Sequence, residues 1–173
     1  QRNRERMDRL ATDVAAMDKR IGAISPSLKR TGGTTAKKPT RKPTAKPAAG
    51  SKVTDSGLYQ QAKGALDKGD LKAARTGFQK LIATFPKSPH ADNAQFWIGE
   101  TYYREKWYEK AILEYQKVIE KYPSGNKVPG ALLKQGLSFL NIGEANNARL
   151  VLKELVAKHP GSNEAGIAKQ KLE

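Results

Sequence analysis

The sequence predicts an all-α protein in three parts: a short N-terminal coiled-coil helix, a flexible linker, and a C-terminal solenoid of three helix pairs followed by a capping helix. Three observations predict this fold. Residues 1–24 carry a heptad stripe, residues 25–55 are rich in Lys and Pro, and residues 56–173 repeat in register every 37 residues. A period of this length is typical of solenoids, in which each unit buries its apolar face against the next.

Apolar residues in segment 1–24 follow the three-four spacing of coiled-coil core positions, and charged residues occupy the other faces. A lone helix of this length is marginal in water, so it should either associate with other copies or pack on the repeats. We expect a parallel coiled coil, in which branched residues at both core positions of the last heptad favour a trimer. The predicted oligomerisation residues are Met7, Leu10, Val14, Met17, Ile21 and Ile24.

The linker, residues 25–55, has almost no large apolar groups, so it cannot bury enough surface to offset chain entropy. Residues 25–57 contain eight basic residues and one acidic residue, and their net charge of +7 is nearly half of the chain's net charge of +15. Two interpretations stay open: a soluble spacer, or a segment that adheres to a polyanion such as lipid headgroups, nucleic acid or an anionic wall polymer. Because this tether holds so much of the excess charge, we do not expect the repeats to bind nucleic acid.

Three columns of residues, each spaced by 37, define the repeats. Between Asn93 and Pro123, a small residue, an aromatic residue, Ala, a second aromatic residue and Pro follow one another at the spacing of a tetratricopeptide repeat, which consists of two antiparallel helices. The predicted units are about 56–91, 92–127 and 128–161, with a capping helix over 162–173. The columns are Phe85-Pro86, Tyr122-Pro123 and His159-Pro160; Ala74, Ala111 and Ala148; and Phe78, Tyr115 and Leu152.

Each unit should contain an A helix, a tight turn and a B helix that ends before Pro. Gly69 and Gly143 allow the left-handed residue of the turn in the outer units, whereas the second unit must place a non-Gly residue there, at Lys106-Trp107. Ser162 is the predicted N-cap of the capping helix. Small residues should let the A helices approach their neighbours closely at Ala62, Gly99 and Gly136.

Function in such an array is expected on the A helices, whose outward side chains line a groove for an amphipathic helix or an extended peptide. Each of these residues has the alternative of packing between repeats. Trp97 is expected in the core between helices, and Trp107 half-exposed at the start of a B helix. The predicted protein-binding residues are Tyr59, Lys63, Phe96, Glu100, Tyr103, Arg104, Leu133, Leu137 and Asn141, and Leu66 and Leu140 hold further outward positions.

The sequence contains no recognisable motif for catalysis or metal binding. The absence of Cys excludes disulfides, thiolate nucleophiles and the usual zinc sites. His90 and His159 stand at connectors without partners at ligand spacing, and neither a P-loop nor H-E-x-x-H occurs. We therefore predict a non-enzymatic protein without cofactor or metal. No apolar run is long enough to span a membrane, and with no initiating Met or signal peptide visible we expect a processed or shortened form.

Three stretches resemble the Tol–Pal system family YbgF, also called CpoB, of cell division coordinators: FPKSPHADNAQFWIGETYY, AILEYQKVIEKYPSGNKVPGALLKQG and VLKELVAKHPGSNEAGIAKQKLE. The aromatic–Pro connectors and NAQFWIG are shared in part with outer-membrane assembly lipoproteins of the BamD type. The resemblance implies a periplasmic protein of Gram-negative bacteria with a trimerising coil and a repeat domain that binds TolA. It also implies a role in coordinating peptidoglycan synthesis with outer-membrane constriction at division.

The sequence thus predicts a scaffold without enzymatic activity, and the resemblance implies that it is periplasmic. The coil would set the number of copies, the linker would give reach, and the repeats would hold a partner protein. The resemblance implies that this partner is TolA-like and that a peptidoglycan synthase is a second partner. Two alternatives stay open. One is an adaptor that binds a polyanion or the envelope surface through the basic linker, and the other is a BamD-like component of outer-membrane assembly.

Overall fold

The computed structural model describes Thr12 and residues 53–173, and every regular element in residues 53–173 is an α-helix. The predicted all-α solenoid is confirmed for this part of the chain. The predicted coiled-coil residues and nearly all of the linker lie outside the described residues, so the division into three domains stays a prediction. The helices are α1 (Asp55–Asp67), α2 (Leu71–Thr84), α3 (Ala91–Arg104), α4 (Tyr108–Lys121), α5 (Val128–Asn141), α6 (Ala145–Lys158) and α7 (Asn163–Leu172).

Consecutive helices pack against each other along the whole series, which gives three pairs: α1 with α2, α3 with α4, and α5 with α6. The first member of each pair is the A helix and the second is the B helix. Helix α7 packs against α6 and also against α5, so it covers the end of the last pair, as predicted for the capping helix. Contacts between neighbours of this kind are the packing of a solenoid.

Polar side chains fix where several helices begin. Thr54, Asp70 and Ser162 cap α1, α2 and α7, since each side-chain oxygen accepts a hydrogen bond from the backbone N–H three residues on, at 3.1, 2.9 and 3.1 Å. Such caps satisfy one of the backbone donors that the first turn of a helix leaves without a partner. The predicted N-cap at Ser162 is confirmed.

The turn between the A and B helices uses a left-handed residue in every pair. Gly69 and Gly143 have φ angles of +80° and +79°, and Lys106 has a φ angle of +63° in the middle pair. The predicted non-Gly residue in the second turn is therefore confirmed, and it is Lys106. A left-handed conformation costs a residue with a Cβ about 1–2 kcal/mol, so the middle turn is strained where the outer turns are not.

The repeat columns form the core between the helices of each pair. A Cβ placed on Gly99 would stand 2.6 Å from Cε1 of Tyr115, and one placed on Gly136 would stand 2.7 Å from Cδ2 of Leu152. These distances are too short for real atoms, so the predicted close approach of the A helices is confirmed at both glycines. The column residues that are buried are Ala74, Ala111, Ala148, Phe78, Tyr115 and Leu152, together with Ala62.

Candidate protein-binding surface on the A helices

The three A helices share a surface, here called the A-helix face, on which side chains of α1, α3 and α5 contact one another. Nε1 of Trp97 donates a hydrogen bond to the hydroxyl of Tyr59 at 3.0 Å, which joins α3 to α1. Nζ of Lys134 lies 4.5 Å from the ring centroid of Tyr103, which joins α5 to α3. The A-helix face therefore runs across all three pairs, as the concave surfaces of solenoids do.

The seam between α1 and α3 is built from aromatic rings and one lysine, which also forms an ion pair within α1. Tyr59 stacks on His90, with 4.9 Å between ring centroids. Nζ of Lys63 lies 5.1 Å from the ring centroid of Trp97 and 2.5 Å from Oδ1 of Asp67. Trp97 packs against two core clusters, as expected, but it is only half-buried, so part of its ring also belongs to the A-helix face.

A buried carboxylate lies at the seam between α3 and α5. Glu100, predicted to face outward, is 7% exposed. It accepts a hydrogen bond from the hydroxyl of Tyr115 at 2.5 Å and pairs with Nζ of Lys134 at 3.1 Å. Burial, together with the charge of Glu100, raises the pKa of Tyr115 well above its ordinary value. Glu100 thus connects α3 to α4 and α5, because a buried carboxylate needs partners.

Three more side chains predicted to face outward are buried, and in each case a neighbouring helix covers the side chain. The ring of Phe96 packs on that of Tyr115, with 5.7 Å between centroids, and a Cβ added to Gly130 of α5 would stand 3.4 Å from Cε2 of Phe96. Leu133 belongs to the core cluster that α7 completes, and Leu66 belongs to the core of the first pair. Their predicted exposure is wrong because the next helix in the array packs over them.

The remaining predicted residues do reach the surface. Arg104 and Asn141 are exposed at the ends of α3 and α5, and Leu140 is exposed beside Asn141. The half-buried side chains on this face are Tyr59, Lys63, Tyr103 and Leu137. Their role in binding a partner stays a prediction. Trp107, also predicted to be half-exposed, is 42% exposed and stacks on Tyr102 at the turn into α4.

Three residues of the A-helix face were not predicted from the sequence. Nζ of Lys127 lies 5.7 Å from the ring centroid of Phe96, Lys134 covers Tyr103, and Tyr108 packs edge-on against Tyr103 at 5.3 Å. Lys127 and Tyr108 stand at helix boundaries, and Lys134 reaches the face through a long side chain, so counting outward helical positions misses all three. One signal was available: each lysine follows its aromatic partner by 31 residues.

Helix α7 is in phase with the A helices and extends their face. Two columns of buried residues continue from the A helices into α7 at the spacing of 37 residues. Ile167 occupies the position in α7 that Gly130 holds in α5, and its side chain is 43% exposed. The carboxylate of Glu164 would stand 3.9 Å from a Cβ on Gly130. The columns are Ala91, Val128 and Ala165, and Ala94, Ala131 and Ala168.

Within residues 53–173, no group of three or more His, Asp or Glu side chains is arranged to hold a metal ion. His90 is engaged in its stack with Tyr59, and His159 follows the last turn of α6. None of the helices in this part of the chain is long and apolar enough to cross a membrane. The exposed and half-buried side chains of this surface include aromatic rings, apolar groups and cations.

Similarity to known proteins agrees with the fold and points to one family. The family model YfiO, described as outer membrane lipoprotein, matches residues 51–172. The outer membrane protein assembly factor BamD of Xylella fastidiosa strain 9a5c is 27% identical over 84 residues, and BamD of strain Temecula1 matches equally well. Each match covers 49% of this chain and 29% of the relative, so the chain spans less than a third of the curated relatives it matches.

Among solved structures, the tetratricopeptide domain of Arabidopsis OM64 superposes with a TM-score of 0.57 at 12% identity, covering 68% of this chain and 93% of that one. Identity this low supports the tetratricopeptide fold alone, because one fold serves many functions. The resemblance to YbgF in particular is not confirmed, whereas the similarity to BamD-type lipoproteins is. Since the matching family model covers more than half of its length, this chain belongs to the YfiO family of outer membrane lipoproteins.

Proposed function

We propose that this protein is a non-enzymatic scaffold of the bacterial cell envelope that binds a partner protein on its A-helix face. The observation that carries the proposal is the set of partly exposed rings on successive A helices, since Tyr59 of α1 contacts Trp97 of α3, and Tyr103 of α3 contacts Lys134 of α5. Aromatic anchors on a preformed surface are the residues that most often dominate binding energy. Grooves of this kind take an amphipathic helix or an extended segment.

The first candidate for the cellular role is the assembly of outer membrane proteins. Membership of a lipoprotein family supports a periplasmic location at the outer membrane. The curated relatives are named as outer membrane protein assembly factors, which favours a partner within that machinery. The shared segment is a part of those relatives, so this role extends to the present chain only as a proposal.

The second candidate is the coordination of outer-membrane constriction with peptidoglycan synthesis, with a TolA-like partner and a peptidoglycan synthase nearby. It is supported by the resemblance of the sequence to YbgF and by the heptad stripe in residues 1–24, which would bring several copies together. Several repeat domains on one coil would bind a multivalent partner with increased avidity.

Crosslinking in living cells, followed by purification of the full chain, tests the proposal and separates the two roles. An assembly component should recover proteins of the outer-membrane assembly machinery, and its depletion should lower the amount of outer membrane β-barrel proteins. A division coordinator should recover a TolA-like protein, and its depletion should delay constriction.

Tyr103→Ala provides the test of the surface itself. Because Tyr103 is half-buried at the edge of the face, we expect the variant to keep its helicity and to lose crosslinking to the partner. Thr76→Ala, on the exposed side of α2, is a matched control that should leave crosslinking unchanged. If Tyr103→Ala crosslinks as well as the wild type, the partner binds elsewhere.

The polyanion alternative differs in its dependence on salt. Binding through the basic linker should weaken steeply as salt rises and should disappear when Lys37, Lys38, Arg41, Lys42 and Lys46 are replaced together by Gln. Binding through the A-helix face should survive that replacement.

A further inference from the structure

Because the repeats are in register, the start of one A helix can be compared residue by residue with the start of the next. Asp55 in the first turn of α1 corresponds to Asp92 in the first turn of α3, 37 residues later. Ser88, in the connector between α2 and α3, corresponds in the same way to Gly125, in the connector between α4 and α5. Oγ of Ser88 donates a hydrogen bond to Oδ2 of Asp55 at 2.7 Å. Gly125 has no hydroxyl, so Asp92 lacks the equivalent bond.

Asp92 therefore has one carboxylate oxygen that accepts no hydrogen bond. Its Oδ1 accepts from the backbone and side-chain nitrogens of Asn93 at 2.6 and 2.9 Å. A Cβ added to Gly125 would stand 2.9 Å from Oδ2, so Gly125 lies beside Asp92 as Ser88 lies beside Asp55. Within residues 53–173, no group donates a hydrogen bond to Oδ2. Because Asp92 is half-buried, a donor from outside this part of the chain would stabilise it.

Asp92 lines a cleft of about 370 Å³ between the two connectors, here called the connector cleft. The cleft combines an aromatic ring, two exposed proline rings, a hydroxyl and one charge of each sign, and its lining includes Pro89, Asp92, Lys121, Tyr122, Pro123 and Ser124. Burial, together with the charge of Asp92, raises the pKa of Tyr122, so the phenol is neutral at neutral pH. Lys121 is exposed and its flexible side chain can move aside, whereas Asn93 holds Asp92 in place. The cleft thus provides one fixed acceptor beside a wall of rings.

A wall of this kind suits a segment that contains several prolines, because such segments are extended before they bind and dock on aromatic and apolar surfaces. The chain itself contains one: residues 39–47 read PTRKPTAKP. Every residue of this segment other than Pro and Ala has a side-chain donor, which is what Oδ2 of Asp92 lacks.

This segment is attached close to the connector cleft. Ser88 lines the cleft and also bonds to Asp55, which follows Val53, the first residue of the described range, by two positions. Lys46 precedes Asp55 by nine residues, which span at most roughly 30 Å when fully extended. A short tether raises the local concentration of the segment at the cleft to about the millimolar range, so even weak contacts would suffice for docking.

We infer that the connector cleft binds the chain's own segment 39–47. A Lys, Arg or Thr side chain of the segment donates to Oδ2 of Asp92, and its proline rings lie against Tyr122 and Pro123. The cleft is at the end of α3 where the helix begins, so the docked segment leaves Tyr103, at the other end of α3, free to bind a partner. The inference goes beyond the proposed function, because it gives the basic linker a binding site within its own chain.

Paramagnetic relaxation in the full chain tests the inference. The chain has no Cys, so Ala45→Cys provides a single attachment site for a nitroxide inside the segment without removing a donor. The relaxation of the Ser124 amide is compared in four labelled proteins: Ala45→Cys alone, and Ala45→Cys with Asp92→Asn, Gly125→Ser or Asp67→Asn. Asp67→Asn is the matched control, because it makes the same change in net charge at an exposed carboxylate at the far end of α1.

The Ser124 amide should be strongly broadened in the Ala45→Cys protein and in the Asp67→Asn control. Asp92→Asn removes the charged acceptor, and Gly125→Ser supplies the hydroxyl that Ser88 supplies in the first connector. Each of these two changes should lower the relaxation enhancement by at least about threefold. An enhancement that is absent in the Ala45→Cys protein, is equal in all four proteins, or falls as much in Asp67→Asn as in Asp92→Asn would overturn the inference.

A mixed sample shows whether the segment comes from the same chain or from a second copy. Spin-labelled protein is mixed with isotope-labelled protein that carries no nitroxide, and we expect no enhancement at Ser124. An enhancement as strong as in the singly prepared protein would place the segment of a second copy in the cleft and overturn the inference. None of these outcomes changes the A-helix face, so the proposed function is tested separately by Tyr103→Ala.

Discussion

Replacement of Gly99 by Ala should destabilise the solenoid although it adds a good helix former to the middle of α3. The new Cβ would stand 2.6 Å from Cε1 and 2.8 Å from Cδ1 of Tyr115. The ring has little freedom to move, because Tyr115 is fully buried and its hydroxyl donates to Glu100. The backbone of α3 or the ring of Tyr115 must therefore shift.

The magnitude follows from two opposing contributions. Overpacking of a core costs about 1–3 kcal/mol, and the upper part of that range, about 2–3 kcal/mol, applies here because the buried ring of Tyr115 cannot move away. Ala in place of Gly in a helix contributes about 1 kcal/mol in the other direction. We expect a net loss of about 1–2 kcal/mol in the free energy of unfolding. For a repeat domain of this size, that loss corresponds to a fall in Tm of roughly 4–8 °C.

Gly64→Ala is the matched control, since Gly64 is also inside an A helix and a Cβ there would meet no atom within 4 Å. This variant gains helix propensity without overpacking, so its stability should rise by up to about 1 kcal/mol. Urea denaturation followed by far-UV circular dichroism measures both. If Gly99→Ala is as stable as the wild type, or if both variants lose stability equally, the close approach of Gly99 to Tyr115 does not constrain the fold.

Three further predictions concern the same elements. Glu100→Gln keeps an acceptor for Tyr115 but removes the charge that pairs with Lys134, so urea denaturation should show a loss of about 1–2 kcal/mol, and an unchanged midpoint would contradict the buried ion pair. Lys106→Gly should raise the free energy of unfolding by about 0.5–1 kcal/mol, because Gly adopts the left-handed conformation without strain. Gly69→Ala should lower the free energy of unfolding by about as much. Thermal melts measure both variants, and Tm values that shift in the same direction would refute the reasoning. Because the pKa of Tyr115 is raised in the folded state, the unfolded chain releases that proton first, and stability should fall as pH rises above about 10. Tyr115→Phe should lose less stability than the wild type over the same alkaline range, and equal losses would show that this hydroxyl is not responsible.

Backbone features were predictable because residue type and spacing determine them directly. Pro ends each B helix, Ser162 caps α7, and the middle turn has no glycine, so a residue with a Cβ had to adopt the left-handed conformation there. These outcomes depend on local chemistry and on a period of 37 residues, both of which are visible in one sequence.

Side-chain exposure on the A helices was less predictable because it depends on the neighbouring unit. Helical counting places Glu100 and Phe96 on the outer side of α3, and this is correct for α3 alone. Helix α5 then covers Phe96 near Gly130, and Lys134 of the same helix reaches the Glu100 carboxylate. To predict which side chains of one unit are buried, one must therefore also know the side chains of the next unit. A long side chain such as Lys134 covers residues that a short one would leave exposed.

The shared phase of α7 and the A helices has a consequence for how such a chain can change. Since consecutive units meet through equivalent small and large residues, an internal duplication of one whole 37-residue period would keep every existing junction and create one more of the same kind. An insertion of another length within a helix would shift the residues that follow it out of the positions that face the neighbouring helices. Evolution or design can thus alter the span of this protein in steps of whole units, and the surface for partners would lengthen by the width of one helix pair at each step.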